Sequence, residues 1–228
     1  MKPVLRIFAT LLAITGILSF SACTTMSPNE TSSIGGTGSE VVGVVNYPDS
    51  GAAGKIHAGM ATYRFPLIDG AVFINPVNYL PETGNAGETS VAHTREDGSF
   101  CISNVKAGSH ILYIRDNGDN AVAYRVTVNE GDERVDVGTL VAKKTAGVSI
   151  AYSGTTPGEV LFFINLLGTG MQLRCASRNL QFTLDRIPVG IDYTVVIRMY
   201  KPFRKDYDFA LTDPRPGITS TLQSITGE

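Results

Sequence analysis

FCISNVKAG (residues 100–108) and FTLDRIPVG (residues 182–190) carry one plan in different halves of the chain. Each opens on Phe, sets an aliphatic residue two positions on and another at the sixth, and closes on Gly at the ninth. The matched pairs are Phe100/Phe182, Ile102/Leu184, Val105/Ile187 and Gly108/Gly190. A strand-like run follows each Gly, SHILYIR in the first copy and IDYTVVIR in the second, with one extra residue in the latter. A strand, a tight bend and a Gly where the backbone must turn account for this spacing. Repetition on this scale indicates two related units rather than one irregular domain.

Outward from the first copy, short β-like runs alternate with turn signals. EVVGVVN, GAVFI, SVAHT, SFCIS, HILYI, AVAYRVTV and RVDVGTLV follow one another to about Val141. The links Glu96-Asp97-Gly98, Asp116-Asn117-Gly118-Asp119 and Asn129-Glu130-Gly131-Asp132 are rich in residues that favour turns. Seven runs at this spacing predict an all-β chain built of β-sandwiches. The expected units are 40–142 and 143–228, divided in the small, polar Lys143-Lys144-Thr145-Ala146 region.

The Gly-containing first strand VVGVV (41–45), Gly70-Ala71-Val72, and Thr94…Asp97-Gly98-Ser99-Phe100…Val105…Gly108 resemble the carboxypeptidase regulatory-like domains. The resemblance covers roughly residues 40–142. It implies a seven-stranded, transthyretin-like or Ig-like β-sandwich and a non-catalytic accessory role, with no active-site residues to transfer. Two features depart from the pattern. Residues 47–69 are a longer insertion than the usual short turn, and the second half has Asn179-Leu180 where Asp-Gly would stand.

The first forty residues read differently. Lys2 and Arg6 precede the apolar run IFATLLAITGILSF, which has the length of a signal-peptide core and falls short of the ~20 residues that span a bilayer. It runs into Phe20-Ser21-Ala22-Cys23, which resembles a bacterial lipobox; an ordinary secretory peptide cut near Ala22, or a signal anchor, is the alternative. Residues 1–22 are therefore expected to be a lipoprotein signal peptide, with lipid on Cys23. More than one acyl chain is what stable anchoring requires. Thr24 and Thr25 follow, without the Asp associated with inner-membrane retention, so the expected place is the outer membrane of a bacterial envelope. Residues 23–39 hold the lipidated cysteine and a Gly/Ser/Thr-rich tether.

A net charge of −2, from 19 basic and 21 acidic residues, gives no electrostatic footprint for nucleic acid. His57, His93 and His110 lack the spacing of a zinc peptidase. His93 and His110 on adjacent strands would be a possible metal pair; the plainer reading is two solvent-facing strand positions. DNGDN (116–120) offers oxygens to calcium but lacks the Ca²⁺-loop register, and a hairpin turn explains it better. Gly168-Thr169-Gly170 reads as a turn between LFFINLL and MQLRC. With Cys23 consumed by lipid, Cys101 and Cys175 are expected as buried free thiols, a bridge between them being the alternative.

RMYKPFRKDYDF (198–209) interleaves cations with aromatics. Tyr200, Phe203, Arg204 and Tyr207 are the candidate ligand-binding residues, suited to sugar rings or acidic groups. The plainer reading is a strand end whose aromatics enter the core. The 47–69 insertion, with Tyr63 and Phe65, is the second candidate surface. These readings predict a membrane-anchored envelope lipoprotein acting as a non-catalytic binding or structural module toward a glycan or envelope protein. An accessory subunit or weak hydrolase on cell-wall or polysaccharide substrates is the alternative. No cofactor, metal or nucleic-acid partner is expected.

Overall fold

Apolar runs bounded by Gly, Asp and Asn turns produce strands, and no helix occurs among the described residues. The computed structural model describes residues 38–48, 65–83, 90–154, 160–177, 181–201, 205–222 and 225–227. The signal segment, Cys23, the tether, Tyr63 and most of the 47–69 insertion lie outside them.

The seven runs read in the first half are seven strands: β1 (Ser39–Asn46), β2 (Ala71–Pro76), β3 (Ser90–His93), β4 (Ser99–Val105), β5 (Gly108–Arg115), β6 (Asn120–Val128) and β7 (Arg134–Val141). A two-residue β8 (Lys143–Lys144) follows. They form two facing sheets, ordered β4-β1-β7 and β3-β2-β5-β6-β8. Val41, Val45, Phe100 and Ile102 from one sheet meet Val72, Ile74, Leu112 and Ile114 from the other in a closed core. The Asp97-Gly98 pair is the turn that enters β4. The Asp97 carboxylate accepts a 2.9 Å hydrogen bond from the Ser99 amide, and its pKa lies below the usual value, chiefly through hydrogen bonding to Ser99.

The second half repeats this layout in seven of its strands. It contains β9 (Ala146–Gly154), β10 (Val160–Leu166), β11 (Gln172–Ser177), β12 (Gln181–Ile187), β13 (Tyr193–Lys201), β14 (Lys205–Leu211), β15 (Thr219–Thr221) and β16 (Ile225–Gly227). Sheet β12-β9-β15, with β16 also on β9, corresponds to β4-β1-β7, and sheet β11-β10-β13-β14 corresponds to β3-β2-β5-β6. In both halves the first strand pairs antiparallel to the fourth and parallel to the seventh. The repeated nonapeptide also matches in backbone detail. Asn104 and Arg186, both fifth in it, have φ of 62°, and Gly108 and Gly190 have φ of 138° and 118°. All three apolar pairs of the motif are buried. The strand ladder slips at the same place, between Ile102 and Val105 and between Leu184 and Ile187.

A further correspondence lies just beyond the motif. The buried Tyr193 hydroxyl donates to the Pro188 carbonyl at 2.9 Å, tying the strand start to the preceding corner, as in Ig-type sandwiches. In the first half His110 Nε2 faces the carbonyl of Lys106, the residue equivalent to Pro188, at 2.8 Å. A ring N–H that meets a carbonyl must donate, so His110 does the work of the tyrosine.

The two units are packed together through β5. Leu112 and Ile114 enter the first core, whereas Ile111 and Tyr113 on the other face, with Ala123 of β6, belong to the core of the second unit. Two glycines let the second unit approach. At Gly168 (φ 78°) a Cβ would stand 2.5 Å from Ile111 Cδ1 and 3.0 Å from the Val77 carbonyl oxygen. At Gly190 (φ 118°) it would stand 2.8 Å from the Ala123 carbonyl oxygen. Backbone bonds cross at both places, from Ala123 N to Val189 O at 2.9 Å and from Gly168 N to Tyr79 O at 2.9 Å.

Gly131 also has positive φ (90°), but nothing lies within 4 Å of its added Cβ. Gly131→Ala is thus expected to lose about 1 kcal/mol, the backbone term alone, while Gly190→Ala loses about 2–4 kcal/mol because Ala123 must also move. Denaturant titration of the two variants checks this; equal losses would mean that the approach at Gly190 is not tight.

Candidate functional site

β13 and β14 carry the cation–aromatic segment, and strand alternation divides its members. Tyr207 pairs with Ile197, and Phe209 with Val195, on the face that packs against the second core. Their rings stack 6.5 Å apart, and the Lys205 ammonium lies 5.2 Å from the Tyr207 ring centre. Tyr200 lies on the opposite face and is 37% exposed. Its ring meets Phe163 edge-on at 5.3 Å, and the Arg174 guanidinium lies 5.7 Å from the Phe163 ring centre. Phe203 and Arg204 lie outside the described residues. The structure thus separates Tyr200 from Tyr207.

Tyr200 instead meets Glu82, which the β2–β3 connection of the first unit carries across to the second. The Tyr200 hydroxyl donates to Glu82 Oε2 at 2.6 Å, and the Asn165 side-chain amide donates to Glu82 Oε1. The Tyr200 pKa is raised first by that hydrogen bond, because the carboxylate stabilises the protonated phenol. Arg198 Nη1 stands 3.7 Å from Glu82 Oε2, and Arg198 Nε 3.6 Å from Asp206. The side chains of Glu82 and Arg198 are 8% and 17% exposed, so this pair is largely withdrawn from water. Gln172 completes the group by donating to Asn165 Oδ1 at 2.9 Å. Sequence reading missed Glu82, since one acid in a polar loop has no local signature; its partners come from another unit.

A second polar concentration lies beside it. A cleft of about 440 Å³ opens between the units, with Phe73, Tyr79, Tyr113 and Arg115 from the first and Asp185 and Arg186 from the second. Phe73 and Tyr113 stack at 4.7 Å and 10°, and the Arg115 guanidinium lies 5.1 Å from the Phe73 ring centre. The Tyr113 hydroxyl accepts from the Gly170 amide at 3.2 Å; burial is the main cause of its raised pKa.

The other sequence candidates have structural partners. His93 and His110 are not on adjacent strands, because β2 lies between β3 and β5. They pair with Ala71 and Pro76, at opposite ends of β2, so the metal pair does not form. His93 is exposed, 3.3 Å from Asp69, but His110 is buried rather than solvent-facing. Asp116 of DNGDN caps its own hairpin by accepting from the Asn120 amide (3.0 Å) and side chain (2.8 Å), and Tyr47 donates to it at 3.2 Å. Gly168-Thr169-Gly170 is the β10–β11 turn, with Thr169 Oγ1 donating to the Leu166 carbonyl at 2.8 Å. Cys101 is disulfide-bonded, which overturns the expectation of a free thiol there; the Cys175 side chain lies outside the described residues. Of the long insertion, Phe65 is 60% exposed, and its carbonyl accepts from the Tyr47 amide at 2.8 Å.

The profile of the β-sandwich domain of ER membrane protein complex subunit 7 matches residues 68–163, less than half of the chain and part of both units. No curated protein sequence matches. Among solved structures, the chain is similar to the minor pilin GBS52 of Streptococcus agalactiae, at 11% identity and a TM-score of 0.37 over 82% of this chain and 94% of that one. It is also similar to the shaft pilin SpaA of Lactobacillus rhamnosus GG, at 13% identity and a TM-score of 0.27 over 83% and 98%. Similarity at this level carries no information on ligand, assembly or activity.

Removing Glu82 takes one of two carboxylates from the largely buried Arg198, leaving only Asp206, and strips Tyr200 and Asn165 of their acceptor. Glu82→Ala is expected to destabilise the chain by about 3 kcal/mol, because breaking such a pair exposes the desolvation penalty of the group that remains. A double-mutant cycle with Arg198→Met measures the coupling; additive losses would show that the two side chains act independently.

Proposed function

We propose that the chain is a membrane-tethered, non-catalytic structural module of the bacterial envelope, related to the carboxypeptidase regulatory-like domains. The observation that carries the structural role is the use of polar groups at the junction. Glu82, Asn165, Arg198 and Tyr200 join one sandwich to the other. A spacer or display element requires this kind of fixed relation between units, since inter-domain motion is otherwise the default. Tethering rests on the basic–apolar start, the Phe20-Ser21-Ala22-Cys23 run and the polar segment 24–39. The matched profile comes from a subunit of a membrane complex, in keeping with a β-sandwich held at a bilayer. The proposed units are 40–142 and 143–228, following a signal peptide 1–22 and tether 23–39, and the proposed site is the outer membrane.

Contact with a glycan or envelope protein is assigned in this reading to the outward face bearing Tyr200, Phe163 and Arg174, with Phe203 and Arg204 beside it in sequence. Among the described residues of that face, Tyr200 is the exposed large hydrophobic one. Tyr207 contributes through packing.

One fractionation experiment tests both parts. Cys23→Ser is expected to abolish metabolic lipid labelling and release the chain from membranes. Tyr200→Ala is expected to keep the label while reducing co-purified envelope material. Persistent labelling of Cys23→Ser contradicts the anchor, and unchanged co-purification with Tyr200→Ala contradicts the contact face.

A further inference from the structure

The duplicated nonapeptide supplies an internal comparison at its fifth position. Asn104 and Arg186 share a left-handed φ of 62°. Asn tolerates that conformation because its short side chain bonds locally; for a long side chain such as Arg it is unfavourable. An unfavourable residue held at a conserved geometry within one molecule points to work done by its side chain. Arg186 Nη2 reaches the first unit, donating to the carbonyls of Asp116 (3.3 Å) and Gly118. From there it forms one wall of the cleft of about 440 Å³ between the units.

Arg115 stands in the same cleft. Tyr113 stacks on Phe73, and the Arg115 guanidinium lies over the same ring, 5.1 Å from its centre. The rings therefore hold Arg115 in place ahead of any ligand, so little ordering is needed on binding. Neither Arg115 nor Arg186 has a carboxylate within ion-pair distance among the described residues. The acids adjacent to them in sequence make their contacts elsewhere. Asp116 points its carboxylate at Asn120 and Tyr47, and Asp185 Oδ1 lies beside Gly147, 3.1 Å from where a Cβ there would stand. With Asp185 as the lining acid, the cleft has two fixed positive charges against one negative, a balance that suits a monoanion.

We infer that this cleft is a binding site for a small carboxylate-bearing sugar, whose carboxylate lies between Arg115 and Arg186. A cleft between units, with an apolar floor and a few converging polar groups, is a usual setting for a small ligand, and its volume falls within the usual range of about 300–1,000 Å³. Guanidinium groups match the planar carboxylate through paired N–H donors. Tyr79 also lines the cleft, and a phenol hydroxyl both donates and accepts, as a sugar's own hydroxyls require. The site is independent of membrane anchoring and of the Tyr200 face, so failure of either leaves it standing.

Calorimetric titration of the full-length chain, purified in detergent, tests it with galacturonate, galactose and inorganic phosphate as probes. Galacturonate is expected to bind saturably with Kd of about 1 mM or tighter, and galactose not to bind. Arg115→Gln and Arg186→Asn should each weaken galacturonate by about tenfold or more. Asp185→Asn should bind at least as tightly as the unaltered chain. Arg186→Asn places the residue of the first unit on the backbone that favours it, so its folding is checked by an unchanged far-UV spectrum. Equal response to galactose and galacturonate overturns the assignment, as does full affinity in either arginine variant. Phosphate binding as tight as galacturonate overturns the carboxylate class.

Discussion

The burial of β5 on both of its faces is the constraint from which the remaining arrangement follows. Leu112 and Ile114 complete the core of the first sandwich, and Ile111 and Tyr113 are part of the core of the second. Apolar burial is worth about 25 cal/mol per Å², so leaving either face wet would forfeit several kcal/mol. The second unit must therefore bring its β10–β11 turn and the β12–β13 corner onto the first. Glycine at 168 and 190 permits that approach, since a Cβ at either would meet atoms of the first unit within van der Waals distance.

Close packing of two sheets and two turns also brings polar groups together away from water. Buried donors and acceptors need partners, and the Glu82 cluster supplies them on one side of the junction. Beside it, past Gln172, the same geometry leaves the cleft lined by Arg115 and Arg186 open. The duplication explains why one unit bears features that the other lacks. Residues that build the sandwich are shared by both copies, whereas Arg186, Gly168 and Glu82 act only between them.

Much of the fold was legible along the chain. The Phe–aliphatic–aliphatic–Gly spacing of residues 100–108 and 182–190 reports burial and bending, which are local, and it reappears in register slips and positive φ at matched positions. The short β-like runs between turn signals likewise located the seven strands of the first unit. The junction was not legible. HILYI at 110–114 reads as a buried strand, but the run cannot say that its two faces serve different cores. Tyr200 and Tyr207 looked like one patch because sequence proximity ignores the side of a sheet. His93 and His110 looked like neighbours for want of the strand order, and β2 lies between them. Glu82 had no local signal at all, because its partners Asn165, Arg198 and Tyr200 are brought to it by the docking of the second unit.

The central claim is that the two units are held in one fixed relation through β5 and the Glu82 cluster. Residual dipolar couplings of the backbone amides, measured on an isotope-labelled chain in a weakly aligning medium, test it directly. A rigid junction predicts that couplings from β1–β7 and from β9–β16 fit a single alignment tensor. Two tensors of different magnitude would contradict the account, because they would mean that the sandwiches move independently.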